Sequence, residues 1–172
     1  MRLRTLLSVA LIAAPARAFR LPPHSHFSRK TTTTAMATPK AAIEAQITSF
    51  SNDMMLDMNT AGNFEQWQAY WRDENCVMIR PSGNPLTQQG WKEMMTGGDI
   101  VSTKHELLSI DSVDLIAGAQ AAFATFTTFS AFTYKGTPNE DIAKFTAVLE
   151  FYEEKWKFCH MHRGTGQKPE AK

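Results

Sequence analysis

The chain has 172 residues, 43% of them hydrophobic, which is enough apolar surface for one core and too little length for two ordinary domains. Lys and Arg number 18 against 17 Asp and Glu, a formal charge of +1, so no global field draws the protein onto nucleic acid or an acidic membrane. Two cysteines, Cys76 and Cys159, exclude a disulfide framework, a zinc cluster and a C-x-x-C redox pair; each sits in an apolar run that suits a buried free thiol, with a single bridge left open.

The first segment reads as an address. Arg2 and Arg4 precede an apolar stretch over residues 6–14, and Ala16-Arg17-Ala18 supplies small residues where a signal peptidase cuts, so residues 1–18 are expected to be a signal peptide. Residues 19–38 carry Arg20, Arg29, Lys30 and the run Thr31-Thr32-Thr33-Thr34, with no acidic residue before Glu44, the composition of a transit peptide. The pair, with Phe19 at the junction, resembles the bipartite presequence of algae whose plastids derive from a eukaryotic endosymbiont. It implies delivery to the plastid stroma, with plain secretion as the alternative. No later apolar run reaches the roughly 20 residues a spanning helix needs, so no membrane is expected for the mature chain.

Residues 39–166 are expected to be one domain and 167–172 a disordered tail. Ile43, Ile47, Phe50, Met54 and Met58 recur at intervals of three and four, predicting a first helix over residues 41–58. Gly62-Asn63 breaks it, and Asn63 is placed to cap a second helix whose Phe64, Trp67, Tyr70 and Trp71 form an aromatic stripe. Residues 76–80 read as a short strand ended by Pro81-Ser82-Gly83-Asn84, and Arg80 on it points either into a pocket mouth or to water, water being the expectation. Trp91, Met94 and Met95 mark a third helix over 87–96, stopped by Gly97-Gly98. Residues 100–116, 121–134, 142–152 and 155–163 then read as long strands, separated by Gly118, a turn cluster over 135–139 and Glu153-Glu154. Short links make these strands antiparallel, which gives an α+β domain: a strongly bent, cone-shaped antiparallel sheet cupping about three N-terminal helices.

That order of elements, together with the closing run Lys155-Trp156-Lys157-Phe158-Cys159-His160-Met161-His162-Arg163-Gly164, resembles the nuclear transport factor 2-like (SnoaL-like) superfamily, in the cystatin-like class. The His-x-His-Arg-Gly ending is similar to that of the association domain of calcium/calmodulin-dependent kinase II. The resemblance implies a cone-shaped cavity lined by an arginine at Arg163, with a second arginine on the preceding strand to suit an anion; Ala147 stands at that second position. The same strand resembles that of iota-class carbonic anhydrases, with His160 and His162 kept and Arg163-Gly164 where that class continues with serines. Pro81-Ser82 and Met94 fall near its pocket threonine and tyrosine.

Strict alternation along the last strand puts Trp156, Phe158, His160 and His162 on one face and Cys159, Met161 and Arg163 on the other. If the first set lines the cavity, His162 is the best candidate general base; if the second does, Arg163 is its polar anchor. Both histidines on the outer face is a third arrangement. Tyr70 and Trp67 on the second helix complete the candidate ligand-binding set Tyr70, Trp67, His160, His162 and Arg163. No metal and no cofactor are expected, since His160 and His162 have no third ligand of known position. Glu106, Asp111 and Asp114 are read as solvent-facing. The run from 123 to 134 holds no charge across twelve residues, which suits a covered sheet face and a homodimer. The leading expectation is a small-ligand-binding domain; a metal-free carbonic anhydrase, with His162 and Tyr70 handling water and bicarbonate, and a structural or oligomerisation domain are the alternatives.

Overall fold

A computed structural model describes residues 38–167, so the signal and transit peptide expectations for residues 1–37, and the tail from 168, lie outside the described residues. Helix α1 (Pro39–Asp53) starts where Thr38 accepts a hydrogen bond from the Ala41 amide at 3.3 Å and Pro39 supplies a pre-set φ. It ends five residues earlier than periodicity predicts, because Asp57 folds its carboxylate back on the Asn59 amide at 2.9 Å and competes with the helix. Met54 and Met58 are nonetheless buried.

Helix α2 (Asn63–Gln68) is capped by Gly62 rather than Asn63. The capping position has φ 88°, which glycine adopts freely, while the Asn63 side chain donates from Nδ2 to the Asp57 carbonyl at 2.9 Å. Strands β1 (Val77–Ile79) and β2 (Pro85–Thr87) form a hairpin around the turn expected at residues 81–84, and the second of these strands was not predicted. Helix α3 (Gln88–Thr96) follows at once, its Thr87 cap accepting from the Gly90 amide at 3.0 Å. Strands β3 (Ile100–Ile116), β4 (Ala121–Tyr134), β5 (Thr137–Tyr152) and β6 (Lys155–Thr165) make the expected meander. Lys135 and Gly136, and then Glu153 and Glu154, all have positive φ, so two residues suffice to turn each of the last two hairpins and β5 resumes directly at Thr137.

The six strands run in the order β2-β1-β6-β5-β4-β3. The sheet is mixed, because β1 pairs parallel to β6, with Ile79 opposite His162. That pairing spans the whole meander and has no local signal. On β3 the register to β4 slips between Ser102 and Lys104, Leu107 and Ser109, and Ile110 and Ser112. Each slip bends the strand and adds one residue to its phase, so the residues opposite the inward side chains of β4 include Ser102, His105, Leu107, Ile110 and Val113.

The core lies on the sheet's inner face, where Ile43, Ile47 and Phe50 of α1 meet Trp67, Trp71 and Phe158. Among the described residues no helix is long and apolar enough to cross a membrane. Cys76 is buried and Cys159 half-buried, both as free thiols; burial pushes the Cys159 pKa up to about 11.

Candidate functional site

The helices do not fill the whole inner face. Beyond the C-terminal end of α1 they leave a cavity of about 290 Å³, at the low end of the roughly 300–1,000 Å³ typical of small-molecule sites. Met54, Trp91, Met94, Met95 and Phe132 give it apolar walls. Its polar groups come from five different strands or strand ends: Arg80 just after β1, Arg163 on β6, Asp141 on β5, Ser130 and Thr128 on β4, and His105 on β3.

The bulge in β6 decides what enters this cavity. Leu149 faces Phe158 and Val148 faces His160, so Cys159 is an extra residue and the alternation changes phase there. Trp156, Phe158, Met161 and Arg163 therefore share the inner side, whereas His160 and His162 are exposed on the outer one. The single face predicted for Trp156, Phe158, His160 and His162 is corrected accordingly. Of the five sequence candidates only Arg163 lines the cavity. Trp67 is buried behind the wall, its ring stacked on Trp91 at 5.5 Å. Tyr70 donates to Asp53 Oδ2 at 2.6 Å and does not reach the cavity; burial, and then that carboxylate, push its phenol pKa up.

Arg80, expected to face water, instead lines the cavity and is half-buried. Ile79 lies opposite His162 in the parallel pair, so the next residues, Arg80 and Arg163, are neighbours across β1 and β6. Arg163 is paired with Asp141, and burial lowers its pKa from the ordinary value. Arg80 has no ion-pair partner among the described residues. The cavity thus holds two guanidinium groups and one carboxylate, and only Arg163 is paired with it.

On the other side of β5, His105 Nδ1 is 2.7 Å from Ser130 Oγ. Burial, and then the positive charge of Arg163, push the His105 pKa down to about 4, so the imidazole is neutral at physiological pH. Four buried polar atoms on the lining residues, Arg80 Nε, Trp91 Nε1, His105 Nε2 and Thr128 Oγ1, have no hydrogen-bond partner among the described residues. Buried polar groups are nearly always paired, and these four face a cavity wide enough to hold a partner, whereas Ser51 Oγ, Trp67 Nε1, Trp71 Nε1 and Gln88 Oε1, also unpaired among the described residues, lie in the core away from it. Among the described residues no three His, Cys, Asp or Glu side chains converge as a metal site would require.

His105, Asp141, Ser130 and Thr128 were not singled out as ligand-binding residues by the sequence. Strict alternation counted from the N-terminal end of β3 puts His105 on the outer face, because it misses the slip between Ser102 and Lys104, and Asp141 gains its meaning only from Arg163, 22 residues away. The run from 121 to 134 does carry a signal in retrospect: its inner face changes from Ala122, Ala124 and Phe126 to Thr128 and Ser130, the point where core gives way to cavity.

Residues 41–170 match the family described as "Protein of unknown function (DUF3804)". No curated protein matches the chain. Among solved structures, an NTF2-like protein of unknown function from Prochlorococcus is 31% identical, with a TM-score of 0.63 over 77% of this chain and 97% of that one. The calcium/calmodulin-dependent kinase II hub homology domain of Chlamydomonas reinhardtii shares the fold at 19% identity and a TM-score of 0.55, covering 76% and 100%. A ketosteroid isomerase-like protein of Erwinia carotovora does so at 15% and 0.54, covering 74% and 93%. The chain belongs to the DUF3804 family, and its fold is that of the NTF2-like proteins.

Proposed function

We propose that this is a plastid-directed binding domain whose cavity takes a small organic anion with an apolar body. The observation that carries the reading is the pair Arg80 and Arg163, adjacent on the cavity wall, where Asp141 is the only carboxylate among the described lining residues and pairs with Arg163 alone. Charge-assisted donors of this kind hold carboxylates and related anions strongly, and low-dielectric walls amplify the attraction. The presequence composition supports the plastid; residues 1–38 fused to a fluorescent reporter should direct it to the stroma of an algal cell, and export to the medium would sink that part.

Titration calorimetry with octanoate and octanol tests the site. Octanoate is expected to bind at least about tenfold more tightly, and Arg80→Gln to weaken octanoate by about tenfold or more while leaving octanol unchanged. Arg80 is the cleaner position to change, because Arg163→Gln also strands Asp141 without its partner. Equal affinity for the acid and the alcohol would rule out the anion reading. The carbonic anhydrase reading has weaker support, since His162 and Tyr70, its two groups for water and bicarbonate, both lie outside the cavity.

A second reading, assembly through the outer sheet face, draws on the outward residues of β4. Phe123 is 38% exposed, and Thr125 and Phe129 follow it on the same side, opposite Thr146 and Ile142 of β5. Thr146→Glu is expected to dissociate an oligomer in light scattering without altering octanoate affinity. An unchanged mass would remove this face from any assembly.

A further inference from the structure

Charge bookkeeping inside the cavity goes one step beyond the anion reading, on which it rests. Charges set in a partly buried cavity, where Arg163 and Asp141 are 27% and 29% exposed, are screened less than at the surface, so an unbalanced charge there is unfavourable. The charged and titratable groups facing the cavity are Arg80, Arg163, Asp141 and His105. His105 contributes no charge at physiological pH. Two cations against one anion leave the empty site at +1. A ligand bearing one negative charge brings it to neutrality, whereas a ligand bearing two overshoots to −1 and faces Asp141 without a cation to spare.

We propose that Asp141 sets the charge of the ligand: as a built-in counter-ion on Arg163 it restricts the cavity to monoanions, and the ligand class is a small amphipathic monocarboxylate, sulfonate or sulfate ester rather than a phosphate monoester or dicarboxylate. The placement supports this. Asp141 stands on β5, between the strand that carries Arg163 and the strand that carries Ser130 and Thr128, so it occupies the middle of the polar floor. A ligand headgroup that reaches Arg163 must share that guanidinium with it. Arg80, without an ion pair among the described residues, supplies the one uncommitted positive charge. The neutral remainder of the floor, His105, Ser130 and Thr128, offers hydrogen bonds but no charge.

The test uses two headgroups of the same tetrahedral shape on the same chain. Octyl sulfate is a monoanion throughout, and octyl phosphate is a dianion at about pH 8, above the second phosphate pKa of about 6. Calorimetric titration of the wild-type protein at that pH is expected to show octyl sulfate binding at least about tenfold more tightly than octyl phosphate. Asp141→Asn, which raises the site to +2 while keeping its shape, is expected to bring the ratio to one or invert it. Arg80→Gln, which lowers the site to zero, is expected to bring octyl sulfate down to the affinity of octanol, and serves if Asp141→Asn does not fold. Equal wild-type affinity for the two esters, or a ratio that Asp141→Asn leaves untouched, overturns the role of Asp141 while both esters still outbind octanol and the anion reading stands. If neither ester outbinds octanol, the anion reading falls and this inference with it.

Discussion

Phe158→Ala is expected to destabilise the domain by about 3–5 kcal/mol, a large part of the roughly 5–15 kcal/mol that holds a domain of this kind together. The side chain is 0% exposed, and its ring lies 4.8 Å from that of Phe50 and 5.8 Å from that of Trp71, so removing it opens a void between α1, the end of the α2 segment and the sheet at once. The two tilted aromatic pairs, at 59° and 52°, add about 0.5–1.5 kcal/mol each beyond burial. The backbone of the same residue is also a staple: its amide donates to the Tyr70 carbonyl at 2.8 Å and its carbonyl accepts from the Arg72 amide at 2.9 Å. Those bonds survive the substitution, so the loss measured is that of packing alone. Urea denaturation followed by tryptophan fluorescence gives the number, with all four tryptophans in the described domain. A loss below about 1 kcal/mol would mean that α1 and α2 can settle onto the sheet without this ring, and the core would have to be redrawn.

What the sequence makes legible follows from range. The helix periodicities, the glycine breaks and the long β-branched runs are local, and from them the order of helices and the meander can be read almost to the residue for α3, β3 and β4. The parallel docking of β1 on β6 joins positions about eighty residues apart, and no pattern within either strand encodes it. The site depends on that docking, since it alone brings Arg80 beside Arg163. Bulges hide the rest. One extra residue at Cys159 exchanges the histidines for Arg163 on the inner face, and the slip between Ser102 and Lys104 turns His105 inward. Bulges depend on how two strands meet, so a strand read singly shows unbroken alternation. The resemblance points to Arg163 and puts its second arginine where Ala147 stands on β5; the cavity's other arginine in this chain is Arg80, just after β1.

His105 makes the domain acid-sensitive in a window set by its own burial. Its pKa is about 4 in the folded protein against the ordinary 6.5, because burial, and then Arg163, disfavour the imidazolium. The folded pKa lies below the unfolded one, so as pH falls from about 6.5 the unfolded chain takes up a proton that the folded chain refuses. Stability therefore drops steadily between about pH 6.5 and pH 4, and the contribution levels off below that, where both states are protonated. The interval corresponds to about 3 kcal/mol from this one side chain. Above pH 7 the group is neutral in both states and has no effect. Carboxylates elsewhere add their own acid loss at lower pH, so the comparison that isolates His105 is the difference between wild type and His105→Gln, whose amide can still bond Ser130 but does not titrate. Urea denaturation at pH 7 and pH 4 is expected to show the wild type losing about 3 kcal/mol more than the variant. Parallel losses in the two proteins would mean that the cavity admits the imidazolium without penalty, which would require a solvated floor around His105.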